Sequence, residues 1–80
     1  MKLKVLLFGI STDLTGENTL DLELNKNASV ADFKDTLQRQ YPKLTQLNSY
    51  AIAVNESYAN DDTQLHENDT VAVIPPVSGG

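Results

Sequence analysis

The sequence of this 80-residue chain contains no cysteine and no tryptophan, one methionine, one histidine and only four glycines. Without cysteine, neither disulfides nor thiolate metal sites can staple so small a fold, and a reducing compartment is the consistent setting. The glycines are Gly9, Gly16, Gly79 and Gly80, too scattered to build a phosphate-cradling loop, so any ATP chemistry has to be supplied by another protein. Positive charge is scarce as well. Six Lys and Arg stand against eleven Asp and Glu, for a net charge of −5, and a phosphate backbone is repelled by such a field. Nucleic acid is therefore excluded as a partner, whereas a basic protein surface would be attracted. No apolar run is long enough to span a membrane. The opening MKLKVLLFGIS superficially resembles an export signal, but its apolar part is short, no small-residue cleavage site follows, and removal would delete the best strand. A cytoplasmic protein is expected, and the three sequons at Asn27, Asn55 and Asn68 then count as chance matches.

Hydrophobic residues make up 40% of the chain, enough for one compact domain near the lower size limit of an unstapled core. In KLKVLLF, residues 2–8, Leu3, Val5 and Leu7 share one face, and Lys2, Lys4, Leu6 and Phe8 share the other. Gly9 marks the end of pairing, and STDLTGEN, residues 11–18, reads as a hairpin connection around Gly16. TLDLEL, residues 19–24, then alternates with Leu20, Leu22 and Leu24 inward.

The period changes in SVADFKDTLQRQYP. Ser29 caps a helix with Asp32 three residues on, Val30, Phe33, Leu37 and Tyr41 form its apolar stripe, and Pro42 stops it. A connection through Leu44 and Leu47 leads to a strand over residues 50–54, a turn at Asn55-Glu56 and a short strand near Tyr58. The polar loop NDDTQLHEND tucks Leu65 against the core, and TVAVI, residues 70–74, is the last strand. Strand parity sets Ile74 opposite Val71 and Val73. A leading hairpin, one crossover helix and later strands predict an α+β protein of β-grasp, ubiquitin-like type: a mixed sheet with one main helix across a face. Residues 1–74 form the domain and residues 75–80 an extended tail.

His66 sits among Asp61, Asp62, Glu67 and Asp69, but no metal-ligand spacing accompanies it. A solvated acidic turn is the expected state, with no metal bound. The tail is more informative. In Pro-Pro-Val-Ser-Gly-Gly, Pro75 and Pro76 hold the stem extended, and Gly79 and Gly80 carry no Cβ to crowd a narrow channel. Fully extended, six residues reach roughly 20 Å. The residues alone leave two readings open: a fraying terminus, or an arm that carries a terminal carboxyl into another protein.

The run AVNESYANDDTQLHENDTVAVIPPVSGG resembles the small subunit of molybdopterin synthase, the MoaD type of sulfur carrier in the ubiquitin-like MoaD/ThiS family. The elements that carry the resemblance are Val54-Asn55, Leu65, Asn68-Asp69, the apolar strand Val71–Ile74 and the tail Pro75, Pro76, Val77, Ser78, Gly79, Gly80. KVLLFG and the helix from Ser29 fit the same layout, so the likeness covers nearly the whole chain. Two departures stand out: Asn68 replaces the usual glycine of the turn, and STDLTGEN lacks the arginine many relatives carry after the first strand. The resemblance implies that Gly80 is adenylated by an ATP-dependent activating enzyme and converted to a thiocarboxylate by a sulfur donor. The tail then enters the large subunit, in a heterotetramer, to supply sulfur for the molybdopterin dithiolene. It further implies that Phe8, Tyr58 and Ile74 form an apolar docking patch for that subunit; burial of Phe8 and Ile74 under loops is the competing expectation. The chain itself would bind no cofactor. Sulfur delivery for thiamine, a ubiquitin-like modifier and a plain interaction domain with an inert tail are the other functions weighed.

Overall fold

The computed structural model describes residues 1–47 and 49–75. Five strands form one mixed sheet: β1 (Lys2–Leu7), β2 (Thr19–Glu23), β3 (Ala51–Val54), β4 (Ser57–Ala59) and β5 (Thr70–Ile74), in the spatial order β2-β1-β5-β3-β4. Only β1 and β5 run parallel, and the remaining pairs are antiparallel. The main helix, α2 (Val30–Gln40), makes the crossover. This is the expected β-grasp.

Alternation decides which face is covered. Leu3, Val5 and Leu7 of β1, Leu22 of β2, Ile52 of β3, and Val71 and Val73 of β5 are all buried against Val30, Phe33 and Leu37 of α2 in one apolar cluster. Each such side chain contributes on the order of 1.5–3 kcal/mol when fully removed from water. Leu20 lies at the cluster's margin, half-buried rather than fully inward.

The start of α2 shows how the chain's polar residues guide the apolar ones. Ser29 Oγ accepts from the Asp32 N–H at 3.3 Å, and the Asp32 carboxylate accepts from the Ser29 N–H at 2.9 Å, a complete capping box. The next two orphan donors are met by the acidic loop: Val30 N–H reaches the Thr63 carbonyl and Ala31 N–H the Asp61 carbonyl. Having capped the helix, that loop drops Leu65 into the core, and the Leu65 N–H donates to the Ala28 carbonyl at 2.9 Å. At the other end Tyr41 closes on Leu37, and Pro42 opens a 3₁₀ turn, Pro42–Gln46, that buries Leu44 completely.

Two connections hold more local structure than the sequence indicates. Residues 11–18 do join the antiparallel strands β1 and β2 around Gly16, and the connection includes a short helix, α1 (Ile10–Thr15), ended by Gly16 in the left-handed conformation at φ 77°. Six residues hold too few apolar positions for a helical period to register. The connection through Leu44 and Leu47 likewise contains the 3₁₀ turn rather than plain coil.

Asn27, Asn55, Glu56 and Asn68 all have positive φ. Asparagine tolerates this region, so Asn68 does fill its turn at φ 67° in place of glycine. Asn55 and Glu56 are the two central residues of a tight hairpin between β3 and β4, at φ 50° and 72°, the combination for which Asn-Gly is favoured. Glu56→Gly therefore relieves backbone strain, and its denaturation midpoint should rise by the equivalent of about 1 kcal/mol; a fall would contradict the assignment. Leu65→Ala, by contrast, should cost about 2–5 kcal/mol in equilibrium unfolding. A loss well below 1 kcal/mol would mean that Leu65 is not a core residue.

Candidate functional site

The uncovered face of the sheet is built by the other half of the strand alternation. Pairing aligns Thr19, Leu6, Ala72, Ala53 and Tyr58 in one row across all five strands. One row towards the end of β5, Ile74 stands beside Ala51. In the opposite direction Lys4 lies between Asp21 and Thr70. Apolar side chains thus gather at the end of the sheet where β5 leaves it, and lysines at the far end.

The centre of the apolar row is hollow because Ala72 and Ala53 are small. Leu6, Phe8, Tyr58 and Ile74 stand around them, with Glu56 and Thr70 on the margin, forming an open depression. Ala53 retains only 6% exposure without belonging to the core cluster, as expected for a methyl on the floor of a hollow. Phe8 is 49% and Tyr58 77% exposed. Ile74 is partly exposed at the same edge. The three patch residues named from the sequence are therefore brought onto one face and line one depression. Leu6 joins them, as strand parity indicated; the alanine floor did not emerge from the sequence, because it depends on register between β5 and β3.

Phe8 projects because its backbone is already occupied. The hydroxyl of Ser11, a fully buried polar side chain, accepts from the Phe8 N–H at 3.0 Å and donates to the Phe8 carbonyl. With both polar groups taken by Ser11, Phe8 leaves the ladder and β1 stops at Leu7. Gly9 then turns the chain at φ 56°, ψ −135°, a conformation that side chains resist, and Thr12 N–H closes on the Gly9 carbonyl.

On the other side of the hollow, Asn55 of the Val54-Asn55 pair and Asp69 of the Asn68-Asp69 pair meet directly. Asn55 donates from its amide to Asp69 Oδ1 at 3.0 Å, and its amide oxygen accepts from the Thr70 N–H at 3.0 Å. Asp69 Oδ2 accepts from the His66 N–H at 2.8 Å. These bonds tie the start of β5 to the β3–β4 hairpin and hold Tyr58 and Glu56 at the rim. His66 Nδ1 stays 3.8 Å from Asp69 Oδ2. Among the described residues, no group of three His, Asp or Glu is placed to hold a metal ion, and no helix is long and apolar enough to cross a membrane.

Pro75 follows β5 out of the sheet beside the Gly9 bend: a Cβ placed on Gly9 would lie 3.6 Å from Pro75 Cγ. Because β1 and β5 are parallel neighbours, their ends emerge at the same edge of the sheet, which brings the root of the tail to the Gly9 bend between Phe8 and the start of α1. Pro76, Val77, Ser78, Gly79 and Gly80 lie outside the described residues.

Known proteins resemble this arrangement over its whole length. The molybdopterin synthase sulfur carrier subunit of Arabidopsis thaliana is 35% identical across all of this chain and 84% of its own. Among solved structures, SAMP1 from Haloferax volcanii superposes with a TM-score of 0.90, covering both chains fully at 24% identity, a likeness of fold alone. In the complex of subunits 1 and 2 of the molybdopterin-converting factor from Helicobacter pylori, one chain matches at 26% identity and a TM-score of 0.71, with full coverage of both. The ThiS family model matches residues 5–80, and with that span of agreement the chain belongs to the ThiS family.

Proposed function

We propose that this protein is the sulfur-carrier small subunit of a molybdopterin synthase and that the carboxyl carbon of Gly80 is its reacting atom. A carboxylate is a poor electrophile, since its charge repels nucleophiles and oxide is a poor leaving group. Activation answers both problems. A carboxylate oxygen attacks the α-phosphorus of ATP, pyrophosphate departs, and an acyl-adenylate results. Sulfur at the oxidation level of sulfide then forms a C–S bond as the C–O bond to AMP breaks, leaving a thiocarboxylate. In the large subunit that sulfur forms a C–S bond to a carbon of the pterin precursor as a C–O bond at that carbon breaks and the oxygen leaves with its electron pair. Water then attacks the Gly80 carbonyl, and the acyl C–S bond breaks to leave the sulfur on the pterin. The Gly80 carboxylate is regenerated. Each transferred sulfur thus returns the carrier unchanged, and ATP is consumed by the activating partner and not bound here.

The chain's own residues hold and present the arm. Val71 and Val73 root β5 in the core, while Leu6, Phe8, Tyr58 and Ile74 offer an apolar surface beside the place where Pro75 leaves the sheet. An exposed apolar patch of this kind characterises protein-binding surfaces. The placement of that patch at the root of a Pro-Pro-Val-Ser-Gly-Gly tail is the observation that carries the reading. The likeness to one chain of the Helicobacter pylori complex supports a large subunit as the partner; a heterotetramer is the assembly that the family resemblance implies. The cytoplasm is the compartment this reading proposes.

Deletion of Gly80 should abolish molybdopterin formation in a reconstituted synthase while leaving thermal unfolding and large-subunit affinity essentially unchanged. Continued product formation by the truncated protein would defeat the assignment of the reacting atom. Phe8→Asp should keep the fold, because Phe8 is outside the core, and should weaken large-subunit binding by at least tenfold, or about 1.4 kcal/mol. Undiminished affinity in a folded Phe8→Asp protein would remove the docking face.

A further inference from the structure

The helix α1 (Ile10–Thr15) carries an isoleucine that neither the core nor the apolar hollow uses. Ile10 is 51% exposed, whereas Leu14, one turn later, packs against the core. A single half-exposed isoleucine means little by itself, but its position is specific. It directly follows Gly9, the residue beside which Pro75 leaves the sheet. Phe8 and Ile10 therefore flank the bend at the tail root, Phe8 on the sheet side and Ile10 on the helix side.

We infer that Ile10 and Phe8 together form an apolar collar around the tail root that seats the rim of the large subunit's tail-receiving channel. The inference rests on the tail-donor reading above and follows from tether length. Residues 76–80 span at most roughly 17 Å when fully extended. A reacting centre buried within its protein and reached by so short an arm requires that protein's surface to close on the arm near Pro75. What it meets there is Phe8 on one side and Ile10 on the other, half-exposed on both. The charge around the collar sets the chemistry of the rim. Asp13 and Glu17 are exposed on and just after α1, and neither has an ion-pair partner among the described residues. On a chain of net charge −5, this favours a rim that is apolar where it meets Ile10 and basic beside it.

The test measures affinity of the full-length protein for its large subunit by calorimetry, comparing wild type, Ile10→Asp, Ile10→Leu and Phe8→Asp, with thermal unfolding of each. An acidic residue suits the first turn of a helix, so Ile10→Asp should unfold at close to the wild-type temperature. Its affinity should fall about tenfold, while Ile10→Leu stays near wild type. If Ile10→Asp does not fold, Ile10→Ser takes its place with the same expectation. Wild-type affinity in the folded Ile10 variant, alongside a loss in Phe8→Asp, would overturn the collar and leave the docking face standing. Wild-type affinity in both folded variants would overturn the collar and the docking face together.

Discussion

The central position of β5 is the constraint on which the rest of the structure depends. Held between a parallel neighbour, β1, and an antiparallel one, β3, it is the strand least able to leave the sheet. Its alternation serves two purposes within five residues. Val71 and Val73 are fully buried beneath α2, while Ala72 and Ile74 face the open side. Force or motion at the tail is therefore resisted by the best-packed part of the molecule. Pro75 then removes the next ladder donor, so regular pairing ends where the arm begins.

The parallel pairing of β1 and β5 has a second effect. Parallel neighbours finish at the same edge of a sheet, and this brings the Gly9 bend, Phe8 and α1 to the root of the tail. In an antiparallel arrangement the end of β1 would lie at the opposite edge. The apolar hollow, the helix α1 and the departing chain are thus consequences of one topological choice. The polar residues around them act as fasteners: Ser11 takes both backbone groups of Phe8, and Asn55 with Asp69 locks the far side of the hollow to β5. Each lets an apolar side chain remain in solvent without loosening the strand beneath it.

Much of this was legible from residue order. The alternations at Leu3, Val5, Leu7 and at Val71, Val73 identified core faces, since one face of a strand repeats every second residue. Ser29, Asp32 and Pro42 delimited the main helix because capping and proline chemistry act locally. Placement of Phe8 and Tyr58 on an exposed face needed parity in one case and family likeness in the other. What escaped depends on contacts distant in sequence. The Ala53–Ala72 floor requires the register between two strands, and the Asn55–Asp69 bond joins residues fourteen apart. The short helix α1 was hidden for a different reason: its serine, threonines and following Gly16 are all turn formers, and its stability comes from Ser11 and from packing. Glu56 at positive φ also left no sign, because nothing local distinguishes it from a glutamate in an ordinary turn.

The central claim concerns one functional group, and intact-mass analysis of the protein purified from its own cells addresses it most directly. The account predicts a population in which one oxygen of the C-terminal carboxyl is replaced by sulfur, localised by fragmentation to Gly80, and lost when the activating enzyme is removed. A terminus that remains an ordinary carboxylate with the activating enzyme and sulfur donor present, or that is found joined to a lysine of another protein instead, would contradict it.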